Sequence, residues 1–233
     1  MAPDTIKTIQ EVGQFVAPFA AAPTVKELVL KMLGPAADVL GERLANNVKR
    51  CFDRSDQMVA EARVTAIAPE PRLLLPLVQA ASIAEDETLQ EMFAALLANA
   101  RIPDAITVRP SLISILSQMA PDEAVLFRQL AVLTNDITNF QMGINTFPQP
   151  MREPMISAEQ TKHMQRLTDA LPLIDKESDS ERGNRMQTCL LILEGLRLVE
   201  YKAIHPKDPV GIPMMTHLGW TLFNASTPPT PKN

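Results

Sequence analysis

Arg72-Leu-Leu-Leu-Pro76-Leu-Val-Gln-Ala-Ala-Ser82-Ile-Ala-Glu85-Asp86-Glu87 runs on through Leu89, Met92, Phe93, Leu96 and Leu97 to Asn99-Ala100, and this stretch decides the fold class. Its apolar residues recur at three- and four-residue spacing, the signature of helix. Leu73 to Ala81 is apolar nearly all round, which predicts a short central helix. Ser82-x-x-Glu85 has the form of a capping box for the next helix. Glu85, Asp86 and Glu87 then stand where a helix dipole favours negative charge. That gives the three acids a structural role rather than a metal-binding one.

Working outward, the same grammar repeats. Pro110 and Pro121 each read as the first residue of a helix, where the missing N–H costs nothing. Leu112, Ile113, Ile115, Leu116 and Met119 follow Pro110; Val125, Leu126, Leu130 and Leu133 follow Pro121. Upstream, Val39, Leu40, Leu44, Val48, Cys51 and Phe52 mark a long amphipathic helix, preceded by a shorter one from Thr24. Gly34-Pro35 separates the two.

Composition agrees. Of 233 residues, 46% are hydrophobic but only 4% are aromatic, so the core must come from Leu, Ala, Val, Ile and Met. Several of these are strong helix formers. The formal net charge is −5, which lacks the broad basic field behind non-specific nucleic-acid affinity. Cys51 and Cys189 are far apart and outside any CxxC spacing, so they read as free, buried thiols of a cytoplasmic protein. The apolar run Val12 to Ala22 is too short for a membrane span, which needs about 20 residues.

The organisation along the chain reads as five parts: an N-terminal arm, 1–23; a helical domain, 24–137; a Pro-rich linker, 138–156; a smaller unit, 157–226; and a disordered tail, 227–233. Within the smaller unit, Ser157-x-x-Gln160 reads as a capping box. Met186, Leu190, Leu191 and Leu193 are the expected buried side of a helix ended by Gly195. Leu198 to Ile204 and Ile212 to Met215 read as two strands around the turn His205 to Gly211, and Thr216 as the cap of a last helix. The fold class is therefore mainly α: a helical bundle followed by a small winged-helix-like α+β unit with a short β-hairpin.

Chemistry is harder to find. No HExxH-type metal helix is present: His163 and His217 have no carboxylate or second histidine at i+3 or i+4, and His205, with Asp208 at i+3, sits in a Pro-flanked turn. GxSxG, phosphate-loop and GxGxxG patterns are not present. The sequence therefore assigns no catalytic residue, no cofactor and no metal. If the C-terminal unit is a winged helix, Arg182, Arg185 and Gln187 lie near the start of its recognition helix, and Arg197 and Lys202 flank the hairpin. These are residue types suited to phosphate or base contacts. Asp175, Glu177, Asp179 and Glu181 precede them and offset the charge, which suits a protein partner better than DNA.

A series of ordered pieces resembles the Abi-alpha family of bacterial abortive-infection proteins. They are Gly34-Pro35-Ala36-Ala37, Leu75-Pro76-Leu77 with Ala80-x-Ser82, Glu85-Asp86, Leu89-Gln90-Glu91-Met92, Leu96 to Ala100, Pro110-Ser111-Leu112 and Pro121-Asp122-Glu123-Ala124. Leu193 to Glu200 and Thr216-x-Leu218-Gly219-x-x-Leu222-Phe223 continue the match. Order and spacing carry the resemblance. It implies a role in stopping infected cells before phage matures, and it brings no agreed catalytic residues. The expected function is a non-enzymatic defence protein working through protein contacts, with a host or phage protein as partner and homo-oligomers open. The alternative is a winged-helix DNA-binding regulator; a membrane effector is a third reading.

Overall fold

The computed structural model describes residues 39–103, 107–144, 149–203 and 211–230. Eight helices and one two-stranded antiparallel sheet make up the described residues, so the mainly helical class holds. The expected N-terminal arm, the helix from Thr24 and the hairpin turn around His205 lie outside them. Two compact units divide the chain, residues 1–118 with 225–233, and residues 119–224.

The first unit contains α1 (Val39–Glu61), α2 (Pro71–Ile83), α3 (Glu87–Ala100) and α4 (Pro110–Leu116). Its central helix is α3, where every residue from Met92 to Asn99 is buried. Ala94, Ala95 and Ala98 are small enough to let α1, α2 and α4 approach from several sides. The sequence expectation placed Leu73 to Ala81 at the centre. Instead α2 keeps an outward face, with Leu75 51% and Ile83 65% exposed.

Polar side chains close the end of α2. Helix C-termini leave carbonyls without intrahelical partners. Here Asn47 of α1 donates to the Ser82 carbonyl at 2.9 Å, and Gln90 of α3 donates to the Ala81 carbonyl at 2.9 Å and to that of Ala84. Ser82 is thus the last turn of α2 and not a cap for α3. The cap is Asp86, whose carboxylate accepts the Leu89 N–H at 3.1 Å. At the other end of α3, Asn99 donates to the carbonyls of Ala225 at 2.8 Å and Thr227 at 2.9 Å. The start of the expected disordered tail is therefore bound, while 231–233 lie outside the described residues.

The second unit contains α5 (Pro121–Ile144), α6 (Gln149–Ala170), α7 (Asp179–Gly195), β1 (Val199–Lys202), β2 (Ile212–Met215) and α8 (His217–Ala225, its last residue counted with the first unit). The expected linker 138–156 is helical over 138–144 and 149–156. Pro150 falls in the first turn of α6, where proline fits, so it opens a helix rather than breaking one. Ser157 then lies inside α6 and caps nothing. The unit boundary falls before α5, not after it.

The hairpin pairs Val199 with Met215 and Lys202 with Ile212. The edge of β2 away from β1 is satisfied from the helices. Thr134 of α5 accepts the Met215 N–H at 3.2 Å, and His163 of α6 hydrogen-bonds the Pro213 carbonyl. Such sealing removes an edge that would otherwise invite another strand. Thr216 caps α8 as expected, accepting the Gly219 N–H at 3.0 Å. Phe223 packs edge-on against Phe127 and Trp220, with ring centroids 6.4 and 5.8 Å away.

Candidate functional site

The five residues singled out from the sequence separate into two groups. Helix α7 starts at a capping box: Ser178 accepts the Glu181 N–H, and the Glu181 carboxylate accepts from the Ser178 N–H at 2.8 Å. One turn on, Arg182 folds inward, with its side chain 13% exposed. Its guanidinium donates to the Asp169 carbonyl at 2.9 Å and to that of Leu171, closing the end of α6.

Arg185 is bound still more fully. It donates to both carboxylate oxygens of Glu177 at 2.9 and 2.7 Å, to Asp122 of α5 at 2.6 Å and to the Pro172 carbonyl at 2.6 Å. The bidentate fork is the strong geometry for this pair. It holds the Glu177 carboxyl below its usual range and raises the Arg185 pKa further. Two of the five candidate contacts therefore join the α6–α7 loop and α5 to α7. A phosphate would have to displace their present partners.

The other three point elsewhere. Gln187 is exposed. Arg197 sits after α7 at φ 59°, and its carbonyl accepts from the Thr216 hydroxyl at 2.7 Å. Lys202 pairs with Glu200 at 2.8 Å across solvent, which contributes little.

A groove of about 420 Å³ runs along α7 between Arg185, Thr188, Cys189 and Ile192 on one side and Pro121 and Asp122 on the other. Burial pushes the Cys189 thiol up to about 11, and the carboxylates of Asp122 and Glu123 add to that. Cys51, in the first unit, is pushed up to about 12 by burial. Nucleophilic cysteines need the opposite setting, a stabilised thiolate. Both thiols are free and buried, as the sequence suggested.

His163 is a buried titratable group of the second unit, 2% exposed. Its Nε2 has no hydrogen-bond partner among the described residues, while the ring bonds the Pro213 carbonyl. Burial lowers its pKa to about 4. Asp136 and Arg166 stand near and pair with each other at 2.8 Å. The ring is thus a neutral structural tie between α6 and β2.

In the first unit a polar groove of about 640 Å³ lies between α1 and α3, lined by Arg50, Asp53, Arg54, Gln57, Glu87 and Glu91. Arg54 and Glu91 pair across it at 2.7 Å. Gln90 reaches it too, and its buried Oε1 has no partner among the described residues. Among the described residues, no group of three His, Cys, Asp or Glu is placed to hold a metal ion, and no helix is long and apolar enough to cross a membrane.

One feature of this region escaped the sequence reading. Leu191, expected in the buried side of α7, is 62% exposed, and Ile192 is 40% exposed. The buried side is Met186, Cys189, Leu190 and Leu193. Helical phase contains this answer: 186, 190 and 193 share a face, and 191 does not. The partnership of Arg185 with Asp122, 63 positions away, had no local signal.

No curated protein and no solved structure matches this chain. The likeness to a winged helix therefore stands on the order of elements alone. Residues 41–217 match the family described as abortive infection alpha, a span covering both units from α1 to the start of α8. With that span the chain belongs to the Abi-alpha family.

Proposed function

We propose that this protein is a cytoplasmic anti-phage defence factor of the abortive-infection type that acts without catalysis, through contacts with another protein. Family membership over residues 41–217 carries the reading. The setting of α7 supports the mode of action. Its arginines are committed internally, and aliphatic side chains stand in their place at the surface. Exposed apolar residues beside a polar rim are typical of protein-recognition surfaces.

The test is a phage challenge of bacteria expressing the chain, at low and high multiplicity of infection. Fewer plaques, with infected cells dying before phage release, is the expected result. Unchanged plaque counts and survival across a broad phage panel would remove the reading. Turnover of a nucleotide or cleavage of RNA by the purified protein would remove its non-enzymatic part.

DNA binding by a winged-helix-like unit is the second reading, favoured by the helix, hairpin, helix order around α7. Its expected sign is a salt-dependent gel shift that weakens when Arg197 and Lys202, the exposed cations beside the hairpin, are replaced by alanine.

A further inference from the structure

We propose that the outer face of α7 docks a basic amphipathic helix of a partner protein; this rests on the protein-contact reading above and names its surface. Glu181, Arg185, Thr188 and Ile192 follow one another at spacings of four, three and four, so they share one stripe of the helix. Leu191 stands alongside. The groove beside Cys189 and Pro121 forms the floor of this strip. The loop whose Pro172 carbonyl Arg185 holds adds Leu173, 75% exposed, and Ile174, 54% exposed.

Along residues 172–195, before the exposed Arg197, the exposed charge is mostly acidic. Arg182 and Arg185 turn inward, whereas Asp175, Asp179, Glu181 and Glu194 are exposed. Among the described residues of 172–195, Lys176 is the one exposed cation against those four acids. From Glu181 to Glu194 the helix rises about 20 Å, the length of a short partner helix. A complementary segment needs an apolar stripe for Ile192 and Leu191 and lysine or arginine for the flanking acids. One amphipathic helix supplies both. The acidic rim repels nucleic acid and anionic lipid, so a basic protein segment is the fitting occupant.

The test uses the full chain and a fluorescent, roughly 14-residue Leu/Lys peptide designed as an amphipathic helix, with a scrambled peptide of equal composition as control. The striped peptide should bind at least about ten-fold tighter than the scrambled one. The double variant Leu191→Asp/Ile192→Asp should abolish that preference, and Glu194→Lys should weaken it, with circular dichroism unchanged. Leu75→Asp, in the first unit, should leave it intact. Equal binding of both peptides, or binding indifferent to the double variant, overturns the proposal. So does a wild-type dimer that the double variant converts to monomer, because the face is then covered by a second copy. A chain that protects cells from phage equally well with and without Leu191→Asp/Ile192→Asp overturns this surface while leaving the defence reading standing. A wild-type chain that gives no protection defeats the defence reading itself, whatever the peptides do.

Discussion

Acidification should loosen the second unit through His163. In the folded chain the imidazole is 2% exposed, bonded to the Pro213 carbonyl, with an Nε2 that finds no acceptor for a second proton among the described residues. Protonation would bury a charge without a partner. The pKa therefore falls from 6.5 to about 4 on folding. The unfolded chain binds the proton more readily, so stability is full above about pH 6.5 and drains away as the pH falls toward 4. At about 1.4 kcal/mol per pH unit, the whole gap is worth about 3 kcal/mol, of which about 2 kcal/mol is gone at pH 5. Trp220 is the single tryptophan and lies in α8, so its fluorescence reports unfolding of this unit. Urea titrations at pH 7.5 and pH 5 should show wild-type protein losing about 2 kcal/mol more than His163→Asn, whose amide keeps a donor without titrating. Arg185 holds the Glu177 carboxyl, and the Ser178 N–H the Glu181 carboxyl, below the usual carboxylate range, so the fold opposes their protonation. Equal losses in the two proteins would refute the reasoning, as would an NMR titration placing the His163 midpoint near 6.5.

Other expectations concern single packing sites. Gly219→Ala should destabilise the second unit by about 2–3 kcal/mol or prevent its folding, because a Cβ there collides with the Leu198 carbonyl oxygen. Gly183→Ala, where an added Cβ meets no other part of the described residues within 4 Å, should instead raise its stability by up to about 1 kcal/mol, as alanine suits a helix interior; both are read from the Trp220 urea midpoint. Arg185→Met should lower that midpoint at neutral pH by stranding Glu177 and Asp122. Its deficit should shrink as the pH drops below the ordinary carboxylate range, since the stability held by a depressed carboxyl is lost there. Asn99→Ala should cost the first unit about 1–3 kcal/mol and speed amide exchange around Ala225 and Thr227, whose carbonyls it holds.

Local signals in the chain specified most of the secondary structure. Pro110 and Pro121 open helices because the first helical N–H has no partner to lose, and that physics needs no tertiary contact. Thr216 as a cap, Gly195 as a helix end and both strands followed from residue type and spacing in the same way. The match of ordered pieces to the Abi-alpha family was also legible there.

Long-range packing decided the rest. Two helices can be equally apolar in sequence, and only the arrangement of neighbours buries α3 while leaving Leu75 and Ile83 of α2 outside. Pro150 and Pro154 also suit a linker, so residue type alone did not place residues 149–156 in α6. The candidate surface was least legible. An arginine is a phosphate ligand or an internal brace depending on which carboxylates surround it, and Asp122 reaches Arg185 from another helix. Sequence determines the local geometry because those terms act over a few residues. The availability of a charged side chain depends on desolvation and pairing across the fold, which only the tertiary structure fixes.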